Sequence, residues 1–381
     1  MADRLREARS GGNSGRCGVK TRVALIGANG HGRWHRRRIS DLSDSVELVG
    51  LADLAPIDPP PDAPAFTDHR ALLTETRPDV VVICTPPHTH LPIALDALDA
   101  GCDLLLEKPP VTSLAAHHTL VEAVSRAGRA CQVGFQALGS RAWTRFRAAL
   151  DPSLTALTAV ASWKRDDAYY ARSPWAGRRT VAGRPVVDGA LVNPLAHAVM
   201  QALASGSAAG AGRPRLLEVE RYRVRPIEVE DTAFARITFE NGLTLLVAVT
   251  LAGEDFIAGE IEARGPFGRA LLEYPTDRLA LPGDPALVEV PGRTDLLTNL
   301  LDHRTTGTDL LVPLESTIDF STVLEALTLP DTPTPQLIDV PNSTIPGING
   351  LLRLSADTLT LPSELGVSWA AKPDRRRLPV S

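Results

Sequence analysis

The stretch RVALIGANGHG, residues 22–32, decides how the first half of the chain is read. Its front is a short apolar β run, and it breaks at Gly27 into a turn. The segment that follows, HGRWHRRRISDL (31–42), has helical character. Working outward, the same alternation continues. VELVGLAD, DVVVICT, DLLLE and ACQVGF read as strands; DHRALLTET, HLPIALDALDAG and SLAAHHTLVEAVSRAG read as helices between them. Continuous Val/Ile/Leu strands separated by helices predict a doubly wound α/β domain, a parallel sheet covered on both faces. Such sheets bind ligands at the carboxyl ends of their strands, near the topological switch point.

The turn is a G-x-N-x-x-G form of a dinucleotide fingerprint. Gly27 makes the tight turn, and Gly30 adds room. Gly32 lets the helix pack close to the sheet. Asn29, at the second glycine position, is expected to take a left-handed backbone conformation. The helix N-terminus then faces a pyrophosphate. Asp53 ends the second strand 21 residues after Gly32, where a carboxylate bonds a ribose 2′-hydroxyl. The loop LAPIDPPPDAPAF after it has no Arg or Lys for a 2′-phosphate, which favours NAD over NADP. The run Arg36–Arg38 reads as the solvated face of the first helix. CTPPHTH (84–90) follows the third long strand, and EKPP (107–110) the fourth, so Glu107 and Lys108 stand at a strand's carboxyl end. A surface ion pair is the plain reading of those two; their position favours a role in the site.

The second half changes character. LTALTAVASWKRDD alternates as a strand. AYYARSPWAGRRTVAGRPVV (168–187) reads as a loop. Trp163, Tyr169, Tyr170 and Trp175 lie within thirteen residues of a chain that is only 4% aromatic. With Lys164, Arg165 and Arg172 they suit a polyhydroxylated ligand, ring faces covering C–H groups and donors meeting hydroxyls. DGALVNPLAHAVMQAL (188–203) reads as a helix apolar almost all round, with Asn193 and His197 one turn apart on one face. That histidine is either a core residue with a hydrogen bond or a proton carrier. ASGSAAGAGRP (204–214) reads as a short flexible loop. Crowded strands around the hairpin signal ENG (240–242) predict a large, mostly antiparallel open sheet. PLESTIDFSTVLEAL and PGINGLLRLSADT read as helices, the last packing back on the body. The expected organisation is an N-terminal extension (1–20), a Rossmann domain (21–137), a second α/β domain (138–330) and a C-terminal segment (331–381).

The net charge of −5 argues against nucleic acid or an anionic membrane as partner. Cysteines 17, 84, 102 and 131 show no CxxC spacing, so reduced thiols are expected rather than disulfides or a metal site. No secretory h-region or membrane-length apolar run is seen, and a cytoplasmic enzyme is expected.

With GANGHG, CTPPHTH, EKPP and QVGFQ in this order, the chain resembles the Gfo/Idh/MocA oxidoreductases, the glucose–fructose oxidoreductase and inositol dehydrogenase family. The resemblance is strong over 21–137, fair to 203 and weaker to about 330. It implies NAD(P)-dependent hydride transfer at a carbinol carbon of a sugar, polyol or related small molecule. It assigns Lys108 to both nicotinamide and substrate, Asp53 to the ribose, and Thr85, Pro86 and His90 to the nicotinamide loop. Gln136 falls at the substrate, and Lys164, Tyr170 and Trp175 are drawn toward the pocket. The family's second signature, roughly Gly-Gly-x-Leu-x-Asp-x-x-x-His, reads here DGALVNPLAH. His197 keeps the histidine position, Asn193 stands for the acid and Asp188 for the first glycine.

On this reading His197 is the base, Lys108 stabilises the alkoxide and Asn193 orients His197 without raising its pKa. Two alternatives stay open: a cofactor-binding sensor weakened by loss of the acid, and an enzyme of the same fold acting on a non-sugar. A homodimer or homotetramer is expected, because one face of the large sheet has no helix predicted to cover it.

Overall fold

The computed structural model describes residues 19–379, apart from 61 and 187. Most of the expected extension, with Cys17, lies outside the described residues. The first domain runs β1 (Thr21–Ile26), α1 (Gly32–Asp41), β2 (Val46–Ala52), β3 (Ala65–Phe66), α2 (His69–Thr76), β4 (Val80–Ile83), α3 (His90–Asp99), β5 (Asp103–Leu106), α4 (Leu114–Ala127) and β6 (Cys131–Val133). Its six strands are parallel, in the order β3-β2-β1-β4-β5-β6. All four residues of β4 and of β5 are buried, which is why both read as unbroken apolar runs. The chain leaves β1 toward β2 and later returns on its other side as β4. A crevice therefore opens at the carboxyl ends of β1 and β4.

The second domain continues with α5 (Arg141–Ala148), β7 (Ala156–Lys164), α6 (Asp167–Ala171), the hairpin β8 (Thr180–Val181) and β9 (Arg184–Pro185), and α7 (Ala196–Ala208). Strands β10 (Pro214–Arg223), β11 (Thr232–Phe239), β12 (Thr244–Thr250), β13 (Ala252–Gly265), β14 (Gly268–Tyr274), β15 (Arg278–Ala280) and β16 (Val288–Glu289) follow. After α8 (Leu296–Thr306) and α9 (Ile318–Thr328) come β17 (Gln336–Leu337), α10 (Ile348–Thr358) and β18 (Asp374–Arg377). The sheet order is β16-β15-β14-β13-β7-β12-β11-β10-β17, with β18 also on β10. Only β7/β12 and β10/β17 are parallel among its pairs.

Strand alternation divides this sheet between two cores. Leu157, Ala159 and Ala161 of β7, with Leu245, Val247 and Val249 of β12, join the main core that includes α7. Val160, Leu246, Ala248, Phe234 and Tyr222 form a separate cluster on the other face with Ile338, Ile345, Ile348, Leu352 and Leu361. The face expected to be bare is thus covered by the chain's own C-terminal segment. Bidentate pairs fasten that cover, Arg236 to Glu364 and Arg353 to Glu260, and Trp369 stands edge-on to Tyr222 at 4.8 Å. The reason given for expecting a second subunit falls away.

Two further expectations change. The helix read over 188–203 begins only at Ala196, and 190–195 is a run of turns before it. The same helix runs through the supposed flexible loop to Ala208, because Gly206 is pressed against Phe239: a Cβ there would meet its ring at 2.3 Å. The sequence reading also lacks α8, which returns to the first domain. Arg304 of α8 pairs with Asp103 and lies 3.4 Å from Asp79, while Val133 donates to the Val312 carbonyl.

If the C-terminal segment is an integral wall of the second core, Leu352→Ala, at a fully buried position, lowers unfolding free energy by about 2–5 kcal/mol. Urea titration checks this; a loss below about 1 kcal/mol means the segment is only loosely laid on.

Candidate active site

One cavity of about 1420 Å³ runs from the fingerprint loop, across the ends of β4 and β5, to the second domain. Gly27, with φ +88°, passes so close to β4 that a Cβ would sit 2.3 Å from the Cys84 carbonyl oxygen. Gly30 is left-handed and open on its outer side. Gly32 is close-packed as expected, although what excludes a side chain there is the loop's own Gly27 carbonyl at 1.9 Å. Asn29 is not left-handed, contrary to expectation. Gly30 supplies the turn instead, and the Asn29 amide secures the following loop through Asp58 N and the Pro56 carbonyl, both at 3.2 Å. Asp53 lines the cavity at the end of β2 and accepts from Asn29 N and Ala55 N, each at 3.0 Å. His31, preceding α1, makes no side-chain cap hydrogen bond. Arg38 is not on the solvated face: it lines the cavity and pairs with Asp295 at 3.3 Å.

Thr85 and Pro86 also line the cavity, but His90 does not. It is fully buried behind the loop, its ring nitrogens 2.8 Å from the Thr85 carbonyl and 2.9 Å from that of Pro109. It braces the two strand-end loops against each other. Glu107 accepts from His35 Nε2 at 2.9 Å and Gln136 Nε2 at 3.2 Å, with His31 Nε2 at 3.6 Å. Burial alone would raise its pKa, but the imidazoles of His31 and His35 hold it well below the usual carboxylate range. The grouping of these two histidines with Glu107 is not legible in the sequence, since 72 residues separate His35 from Glu107.

Lys108 Nζ donates to Asn193 twice, to its carbonyl oxygen at 3.0 Å and to Oδ1 at 2.6 Å. Burial lowers its pKa, opposed by Glu107 and Asp188. The Asn193 amide nitrogen in turn donates to Asp188, a buried carboxylate that also accepts from Arg172 and from Gly177 N. The expected stacking of Asn193 over His197 is absent. With the helix starting at Ala196, Asn193 lies in the preceding turn and its side chain faces Lys108. His197 Nδ1 is buried with no partner among the described residues. Burial, and secondarily the Lys108 charge, push the His197 pKa down to about 3.

The far wall carries Gln136, Trp163, Arg165, Tyr169, Arg172, Trp175, Tyr274 and Arg293. Arg172 lies over the rings of Tyr169 and Trp175, at 3.7 and 4.9 Å. Lys164 and Tyr170 do not reach the cavity. Residues 157, 159 and 161 point to the inner core, so strand period 2 sends Trp163 and Arg165 the same way and Lys164 outward. Tyr170 faces Arg225, and Tyr169 takes its place. The alternation of β7 was the signal that finds Arg165; no comparable signal in the sequence separates Tyr169 from Tyr170.

A fingerprint loop, a strand-end carboxylate and a Glu-Lys strand end opening on one cavity define a nucleotide-binding Rossmann domain joined to a sheet-built partner domain. Residues 21–135 match the model of an oxidoreductase family with an NAD-binding Rossmann fold, Gfo/Idh/MocA. The match covers the first domain, and it is this domain that is similar to that family. It is 31% identical over 122 residues to an inositol 2-dehydrogenase of Paracoccus denitrificans, 30% of this chain and 36% of that one. It is 29% identical over 125 residues to D-glucoside 3-dehydrogenase of Escherichia coli, 30% and 34% of the two chains. The matched part thus spans about a third of these curated relatives. The fold is similar over 84% of this chain to all of the WlbA dehydrogenase from Bordetella pertussis, solved with NADH and UDP-GlcNAcA, with a TM-score of 0.69 at 20% identity.

The buried histidine predicts an acid dependence. The unfolded chain protonates His197 as pH falls through about 6.5, the folded chain only near 3. Between those values the unfolded state binds the extra proton, so stability declines as pH drops across that window. His197→Gln loses less stability than the wild type between pH 6.5 and 4, measured by urea midpoints; parallel curves refute this.

Proposed function

We propose that the protein is an NAD-dependent oxidoreductase acting on a carbinol carbon of a polyhydroxylated small molecule such as a sugar or inositol. The observation that carries this is the placement of Lys108. An ammonium has three N–H groups, and two of those of Lys108 go to Asn193. The third is left for an oxygen in the cavity, between the fingerprint loop and an aromatic, arginine-rich wall.

The residues present fit the dinucleotide. The loop backbone passes where only glycine fits at Gly27, the end of α1 carries no side-chain cap, and Asp53 stands at the end of β2. NAD bound there supplies the hydride acceptor. Asp53 binds the adenine-side ribose, and its charge disfavours a 2′-phosphate. Lys108 donates to the substrate oxygen and stabilises negative charge as it develops. His197, neutral at working pH, accepts the hydroxyl hydrogen bond. Negative charge growing on the substrate oxygen offsets the Lys108 charge that depresses its basicity, so proton acceptance becomes easier as the reaction advances. Trp163, Tyr169, Trp175 and Arg165 cover and hydrogen-bond the remainder of the substrate. The named activities of the curated relatives, on inositol and on glucosides, support this class of substrate.

Asp53→Ala is expected to weaken NADH binding at least tenfold, read by cofactor fluorescence. Lys108→Met keeps binding and loses about 10²-fold or more in turnover. Turnover is found by screening inositols, glucosides and sugar acids for absorbance change at 340 nm. Tight NADH binding without turnover across that screen would establish the sensor instead.

A further inference from the structure

We propose that Asp188 is a positioning residue that acts through Asn193 to aim and keep charged the ammonium of Lys108. The proposal deepens the reading of Lys108 as the group that meets the substrate oxygen. Asp188 is buried, and its two oxygens take four hydrogen bonds: two from Arg172 Nη2, at 2.9 and 3.0 Å, one from Gly177 N at 2.9 Å, and one from the Asn193 amide nitrogen. A carboxylate so supplied has its hydrogen-bonding capacity met away from water.

Its contact with Asn193 settles which way that amide points. An asparagine side chain has one accepting end and one donating end. Asp188 can only accept, so it takes the NH₂ end, and Oδ1 is left facing Lys108 at 2.6 Å. Turned over, the same amide would place N–H groups against an ammonium. Residue 188 therefore does from one side chain further out what an acid at 193 would do by direct contact.

Asp188 also joins the aromatic wall to the lysine. Arg172, which it holds, lies over Tyr169 and Trp175, and Gly177 closes the same loop. The charged and titratable groups facing Lys108 come from several elements. They are Cys84 after β4, Glu107 at the end of β5, Arg172 and Asp188 in the loops before α7, and His197 on α7. Glu107 and Asp188 favour the charged lysine and Arg172 opposes it.

The test reads the lysine itself and needs no substrate. Acetic anhydride labelling of Lys108 is followed by peptide mass spectrometry from pH 6 to 10, with exposed Lys164 and Lys372 as internal references. NADH fluorescence on the same samples reports on fold and cofactor site. Asp188→Asn is expected to increase Lys108 labelling at pH 8 about tenfold, a fall of one pKa unit. Arg172→Gln, which leaves the Asp188 charge in place and removes the cation opposing it, is expected to decrease labelling about threefold. Unchanged Lys108 labelling in either folded variant overturns the proposal and reduces Asp188 to an anchor for the 172–177 loop; if Asp188→Asn does not fold, Arg172→Gln decides alone. Failure of the wild type to bind NADH would refute the cofactor reading and leave the labelling comparison standing.

Discussion

An ammonium group held away from bulk water, that of Lys108, sets the arrangement around it. An unpaired charge in such a place costs several kcal/mol, so the lysine needs partners with fixed positions. On its own side Glu107 contributes a favourable charge without a direct bond to the ammonium. That carboxylate is held by His35 from α1 and Gln136 after β6, and it lies so close to the next strand that a Cβ at Gly134 would be 2.9 Å from it. On the far side the partner is Asn193, which belongs to the turn before α7 and hence to the second domain. The bonds that satisfy the lysine therefore also tie the two domains across the cavity floor.

That tie is reinforced where the chain comes back. Arg304 of α8 reaches Asp103 at the start of β5, and Gln132 on β6 accepts from Val312 N at 2.9 Å. The strand whose carboxyl end carries Glu107 and Lys108 is thus clamped at its opposite end by the returning segment. A cavity between domains keeps its geometry only if both walls are held in this way. Here two ion pairs link the first domain to the returning segment, Arg38 with Asp295 and Arg304 with Asp103.

The parallel sheet, the fingerprint loop, Asp53 and the Glu-Lys strand end were legible because each is local: a period, a glycine, a spacing. What was not legible depends on contacts between distant segments. Asn193 reads as a helical residue over His197 until the helix is seen to begin at Ala196. Its side chain is turned by Lys108 and Asp188, the first of them 85 residues away. The left-handed position moved from Asn29 to Gly30 because the Asn29 side chain is engaged by the loop after β2. His90 sits in a motif that borders the cavity, yet two carbonyls draw its ring inward. Lys164 against Arg165 is the instructive miss, since the strand alternation was visible and only the choice of which residue to follow went astray. The cover on the outer face of the large sheet was legible in part: α10 reads as a helix packing back on the body, with Ile348 and Leu352 one turn apart, but the sequence does not tell which face it covers.

The depressed basicity of His197 looks at first like an argument against proton transfer. Under the proposed function the two causes of that depression respond differently to substrate. Burial lowers the imidazole pKa, and the Lys108 charge lowers it further. Only the first of these is independent of what occupies the cavity. An oxygen between the two residues that gains negative charge cancels the second, so the imidazole becomes a better acceptor at the stage when the hydroxyl proton must leave. A histidine kept basic by a carboxylate of its own would be charged more often before substrate arrives, and would then repel Lys108. On the proposed reading, a carboxylate at Asp188, behind Asn193, would favour the cation on Lys108 and leave the imidazole free to accept.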